Sequence, residues 1–349
     1  MAVAQVNHFF LVSSSPAMSQ PPPRVRLAEA LPSLEHALER SEERLRQGRF
    51  ATSEAYLEQL LLELHEEAHR LYSLAMAWPD EARVRQLALC AALLRKGLSV
   101  EKLSQQARAL YQELRREDRG AFEYLRALYT ELCVPRLAGP GTRSPEDYQQ
   151  RIEILSTQRG LLEADLATRS ALLRSLREQP PPAELPSRVA AALPRDGALI
   201  EFVIFRNLPR TPQPEASSAN PAGEQRYLAL LLLADGSTHA ADLGPAERLD
   251  AAAILIHRWL AGRSAHCHAA VQVLHELAMR PLLSRLGRVR RLFIAPDGWV
   301  ALAPFAELHD GGRFLSEAFE LTQLHSGREL LAGPVEGPLV RMAPKHEGR

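Results

Sequence analysis

The spacing of apolar residues changes once along this chain, at the proline-rich stretch from Gln179 to Pro186, and that change separates two kinds of fold. Before it, apolar side chains recur every three or four positions among Glu, Arg and Gln, as in Tyr56, Leu57, Leu60, Leu61, Leu64, Ala68, Leu71 and Tyr72. That is the stripe of an amphipathic helix. Pro79 and Asp80 break this helix and start another through Leu87, Leu89, Ala92 and Leu93. Gly97 ends the second helix and Ser99 caps the next. A loop is expected from Pro135 to Pro145, then one long charged helix from Glu146 to Glu178. Its apolar stripe of Ile152, Leu155, Leu161, Leu162 and Leu166 must dock on a neighbour. No clean repeat of about 34 residues, the tetratricopeptide period, is present.

After the boundary the pattern becomes β-like. Residues 198–205 (Ala198 to Phe205) and 227–234 (Tyr227 to Ala234) read as strands, the second ended by the Asp235-Gly236 turn. Residues 210–224 read as a loop, and 246–260 and 269–286 as helices. Leu292 to Ala295 is a short apolar strand stopped by Pro296-Asp297-Gly298, a tight turn under which Trp299 is expected to pack. Asp310-Gly311-Gly312 marks a further turn. Strands alternating with helices point to an α/β layer.

The segment from Arg291 to Leu331 carries P-D-G, five residues, P-F-x-x-L, then G-R-x-L-x-E-x-F-x-L and S-G-R-x-L-L. It resembles the opening half of a CHAT domain, a family of bacterial relatives of caspases and separase. Residues 185–203 resemble the start of such a domain and residues 89–99 the connector before it, so the resemblance covers roughly 90 to 335. It implies an all-helical region with degenerate TPR-like repeats or helical hairpins over 25–178, followed by an incomplete caspase-like α/β domain over 187–335. Residues 1–24 and 336–349 are expected to be disordered. The family's catalytic His and Cys lie in later strings of the type H-x-x-T-H-G and S-A-C-x-T. Neither string occurs before the last residue, Arg349, so the peptidase activity is expected to be absent and no catalytic residue is assigned.

Other signals point to no chemistry of their own. Acidic and basic residues balance at 42 each, which gives no nucleic-acid footprint. Only Lys96, Lys102 and Lys345 are lysines; every other basic residue is arginine. Three scattered cysteines, Cys90, Cys133 and Cys267, argue for a reducing compartment. Without a signal-peptide pattern or a membrane-length apolar run, a cytoplasmic protein is expected.

His65-Glu66-Glu67-Ala68-His69 matches H-E-x-x-H, two imidazoles one helical turn apart with a Glu able to activate water on zinc. A third ligand is missing nearby, so a solvated helix face is the preferred reading. His266-Cys267-His268 falls in a loop between helices, and adjacent side chains point apart, which disfavours a thiol–imidazole pair. His309-Asp310 and His325 match no motif of the family, and no phosphate-binding glycine string occurs. Three readings follow, in order: a catalytically dead CHAT protein acting as an interaction or regulatory module; the front half of a cysteine endopeptidase completed by another chain; and a zinc hydrolase using His65, Glu66 and His69. No cofactor is expected. A parallel sheet without its last strands leaves an open edge, so a protein partner is expected there or on the helices, or else self-association.

Overall fold

The computed structural model describes residues 23–50, 53–138, 144–208, 223–262 and 267–332. Helices come first: α1 (Pro23–Gly48), α2 (Glu54–Ala77), α3 (Ala82–Arg95), α4 (Val100–Glu113), α5 (Arg119–Ala138), α6 (Pro145–Arg169), α7 (Ala171–Arg177) and α8 (Leu185–Ala192). A small mixed sheet with intervening helices follows. The fold class is therefore a mostly helical N-terminal region and then a small α/β layer, consistent with an incomplete α/β domain. The described residues divide into two compact units. The first takes the described residues within Met1–Glu35, Glu67–Lys96 and Ala183–Arg349; the second takes those within His36–Glu66 and Gly97–Pro182. The sheet's unit thus takes in a piece of the helical region.

The first unit is built on strands β1 (Gly197–Arg206), β2 (Gln225–Leu233), β3 (Thr238–Pro245), β4 (Arg291–Ala295) and β5 (Glu320–Gln323). Their order is β3-β2-β1-β4-β5. β1 and β2 pair antiparallel, as do β2 and β3, whereas β4 lies parallel to β1 and β5 parallel to β4. Side chains alternate across each strand. Ala198, Ile200 and Phe202 face a core with Leu249, Ala253 and Ile256 of α9 (Ala246–Gly262) and Leu274 of α10 (Cys267–Leu274). A π-helical turn at His275–Met279 and then α11 (Arg280–Leu286) complete that layer. On the opposite face lies α3, buried at every position from Leu87 to Arg95, as a helical stretch apolar all round from Leu87 to Leu94 must be. β2 is fully buried from Tyr227 to Leu232, which explains a strand built on leucine.

In the second unit Phe50 anchors the core, its ring edge-on to Phe122 and Tyr129 at 5.7 Å each. Ser99 caps α4 by accepting from the Lys102 N–H, and Gly97 has a φ of +69°.

Several expectations change. The long helix expected over 146–178 is interrupted at Ser170, whose hydroxyl accepts from the Leu173 N–H and opens α7 as a separate helix. Leu155 and Leu166 of its stripe are buried, but Leu161 is exposed. Pro135 lies inside α5 rather than in a loop, and residues 139–143 of that expected loop lie outside the described residues. Strand β3 escaped the sequence reading because Thr238-His239-Ala240-Ala241-Asp242 offers neither β-branched density nor clean alternation. Trp299 does not pack under its turn; it is 47% exposed, and Val300 is buried instead. The disorder expected for the two ends falls mostly outside the described residues, although Pro23 and Arg24 open α1. Most of the expected 210–224 loop is outside them as well.

Candidate functional site

In an open sheet the crevice at the carboxyl ends of the strands is where ligands settle. Here the carboxyl end of β4 meets a buried polar node on the face of the sheet that α3 covers. Glu201 sits in the middle of the apolar run of β1, paired across to Ala295, and is completely buried. Its Oε2 accepts from the Nζ of Lys96 at 2.7 Å. Lys96 follows the last residue of α3, and its ammonium also donates to the carbonyl of Phe202 at 2.9 Å and to that of Ala295. The Oε1 of Glu201 accepts from the Gly327 N–H at 2.6 Å and from the Ser326 hydroxyl at 3.4 Å. Burial pushes the Glu201 carboxyl up from its ordinary range, while the Lys96 ammonium and the Gly327 N–H pull it back. Each group around it donates, so the geometry is that of an ionised carboxylate.

The turns on either side are fixed by the same residues the sequence marked. Asp297 closes the Asp297-Gly298 turn: its Oδ1 accepts from the Gly298 N–H at 2.9 Å and its Oδ2 from the Ile204 N–H at 3.1 Å. Gly298 has a φ of +55°, and a Cβ there would come within 2.3 Å of the Tyr227 Oη. That hydroxyl donates to Asp250 at 2.7 Å, and burial pushes its pKa up. Gly327 approaches closely enough that a Cβ would lie 2.2 Å from Leu199 Cδ2. The S-G-R string therefore serves to bring a backbone N–H against Glu201.

Chemically the node is a clasp. An ammonium that donates to three acceptors offers no lone pair, and a carboxylate with both oxygens engaged and no exposure is poorly placed to move protons. It ties α3, β1, β4 and the 3₁₀ segment Gly327–Ala332 together. Sequence reading missed it, although two signals were visible: one of three lysines in an arginine-rich chain, and a lone Glu inside an apolar strand.

The residues singled out from sequence are not gathered there. On α2 His65 is exposed and His69 half-buried, and among the described residues no group of three or more His, Cys, Asp or Glu is able to hold a metal ion. His309 and Asp310 shape a turn: the His309 Nδ1 accepts from the Gly311 N–H, and Asp310 accepts from Gly312 and Arg313. His325 is exposed and lies 3.2 Å from Glu329. His266 lies outside the described residues, and Cys267 begins α10 rather than sitting in a loop. No helix among the described residues is long and apolar enough to cross a membrane.

None of the curated proteins and none of the solved structures compared matches this chain. The match of the CHAT family begins within α10, takes in β4 and β5 together with the P-D-G and S-G-R strings, and leaves out β1 to β3. With residues 268–344 matching the CHAT domain family model, the C-terminal part of this chain carries a partial CHAT domain.

Proposed function

We propose that this chain is a non-catalytic protein-interaction module in which the partial CHAT domain receives a strand from a protein partner. The observation that carries the reading is the outer edge of β5, which among the described residues pairs only with β4. The N–H groups of Glu320 and Leu324 bond to Arg290 and Ile294 on the β4 side. Alternation along a parallel strand then turns the N–H groups of Leu321 and Gln323 outward. Such an edge is a template for strand addition. The clasp of Lys96 and Glu201 supports the non-catalytic part, since both charged groups are buried and engaged with each other and with the backbone rather than open to a substrate.

A photo-crosslinking side chain placed at Gln323 in the living host tests the reading. The expected result is an adduct with a defined partner that disappears in a folded Leu321→Pro variant, because proline removes an outward N–H while leaving the β4 ladder intact. Adducts indifferent to the proline would remove the strand-addition reading. Hydrolysis of a fluorogenic peptide panel by the purified chain, blocked by thiol alkylation, would remove the non-catalytic one. A partner that brings its own His and Cys strings would instead favour the front half of a caspase-like cysteine endopeptidase.

A further inference from the structure

The second compact unit contains a concavity of about 460 Å³, within the roughly 300–1,000 Å³ span of ligand pockets. Its floor is apolar, with Leu57 of α2 and Leu103 and Ala107 of α4. Three guanidinium groups line it: Arg49, buried at the end of α1, Arg108 on α4 and Arg126 on α5. Two acidic residues, Glu54 and Glu123, also line it, and Glu123 already lies 3.5 Å from Arg126. The Arg126 Nε donates to the Phe50 carbonyl, which holds that guanidinium at the wall. The Nε of Arg108 donates to the Ser104 carbonyl one turn back, and its terminal nitrogens make no hydrogen bond to the described residues. Tyr111 completes the rim with the Arg119 guanidinium 4.9 Å above its ring, which fixes the ring in place.

Arginine forks on an apolar floor suit a carboxylate carried beside an aliphatic or aromatic group. A continuous phosphate backbone suits the place less well, because the chain as a whole carries no net charge to draw a polyanion in. We infer that this pocket binds an acidic peptide segment, with Arg108 and Arg126 on its carboxylates and Leu57, Leu103 and Tyr111 against its apolar side chains. The inference rests on the reading of the chain as an interaction module and gives that module a second, chemically defined contact.

The test is fluorescence anisotropy of the full chain with a short labelled peptide rich in glutamate and carrying leucine at every third position. Binding is expected at low salt, weakened as salt rises. Arg108→Glu should lower affinity by about tenfold or more, and Arg108→Lys by less, since lysine keeps the charge but loses the fork. Arg108 is exposed, and unchanged circular dichroism would show that the fold of each variant survives. No binding, equal binding of the peptide with glutamine in place of glutamate, tighter binding of single-stranded oligouridylate, or indifference to Arg108→Glu would each overturn the inference. If the Gln323 adducts persist under any of those results, the pocket inference falls and the interaction module stands. If the adducts fail as well, both fall.

Discussion

Lys96 donates to three buried acceptors, so the side chain at this position must be a compact ammonium on a long stem. Lys96→Met removes the cation and leaves the Glu201 carboxylate buried without its counterion. Breaking one side of such a pair costs roughly 3–5 kcal/mol, and urea unfolding of the single variant should read a loss of that size. Lys96→Arg should also destabilise, because a planar fork does not fit acceptors arranged around a point donor. The double variant Lys96→Met with Glu201→Leu should regain most of the loss, since a dry apolar pair replaces two charges. A double variant as unstable as the single one would contradict this account. His275 poses the opposite problem: 4% exposed on the π-turn, with a ring Nδ1 that makes no hydrogen bond among the described residues. Burial pushes its pKa down from the ordinary 6.5, against the pull of Asp310 and Glu276 and with a push from His309. A depressed folded pKa means the unfolded chain binds the proton more readily. The resulting contribution to stability is present above pH 6.5 and is lost as pH falls below it. His275→Leu should flatten the stability profile as pH falls below 6.5. An unchanged slope would assign the pH dependence elsewhere.

Periodicity and punctuation set most of the elements. Pro79, Gly97 and Ser99 bound α3 and α4 as their conformational preferences require, and Asp235-Gly236 turns β2 back. The features that sequence does not reveal are those decided by partners far away. A polar Ser170 reads as part of a charged helix until Leu173 is found to need its cap, and Trp299 reads as core until Val300 takes that place. The clasp itself joins residues 105 and 126 positions apart, a separation no local pattern encodes. Gly327 belongs with these. A bare residue in the S-G-R string looks like a turn former, yet its requirement is close approach: a methyl carbon added there would lie 2.2 Å from Leu199 Cδ2 and 3.0 Å from Leu93 Cδ2. Gly327→Ala should therefore cost about 1–3 kcal/mol through overpacking. Leu199→Ala should cost less in the Gly327→Ala background than alone, because it opens room for the methyl. Independent, additive losses in a double-mutant cycle would place the glycine's role in backbone conformation instead.

For the whole molecule, the proline-rich stretch at Gln179–Pro186 marks where composition changes, but packing places Glu67–Lys96 in the same compact unit as the sheet. The reason is physical. One face of the sheet is covered by α9 to α11, while Leu199, Val203, Leu228, Leu230 and Leu232 point to the other face and are buried. α3 supplies cover for that face, with Leu89, Leu93 and neighbouring alanines fully buried, and Tyr72 at the end of α2 adds an edge-on contact to Phe205 at 5.9 Å. Each fully buried leucine is worth roughly 1.5–3 kcal/mol, so a few of them rival the roughly 5–15 kcal/mol that holds a whole domain folded. A fragment of residues 183–349 keeps every strand among the described residues and the entire CHAT match but loses this layer and the Lys96 counterion of Glu201. It should bind a hydrophobic dye and unfold without a cooperative transition. A fragment of residues 67–96 joined by a flexible linker to residues 183–349 should restore a single sharp transition. Cooperative unfolding of 183–349 alone, at the midpoint of the full chain, would mean that the sheet needs no second layer from the helical region.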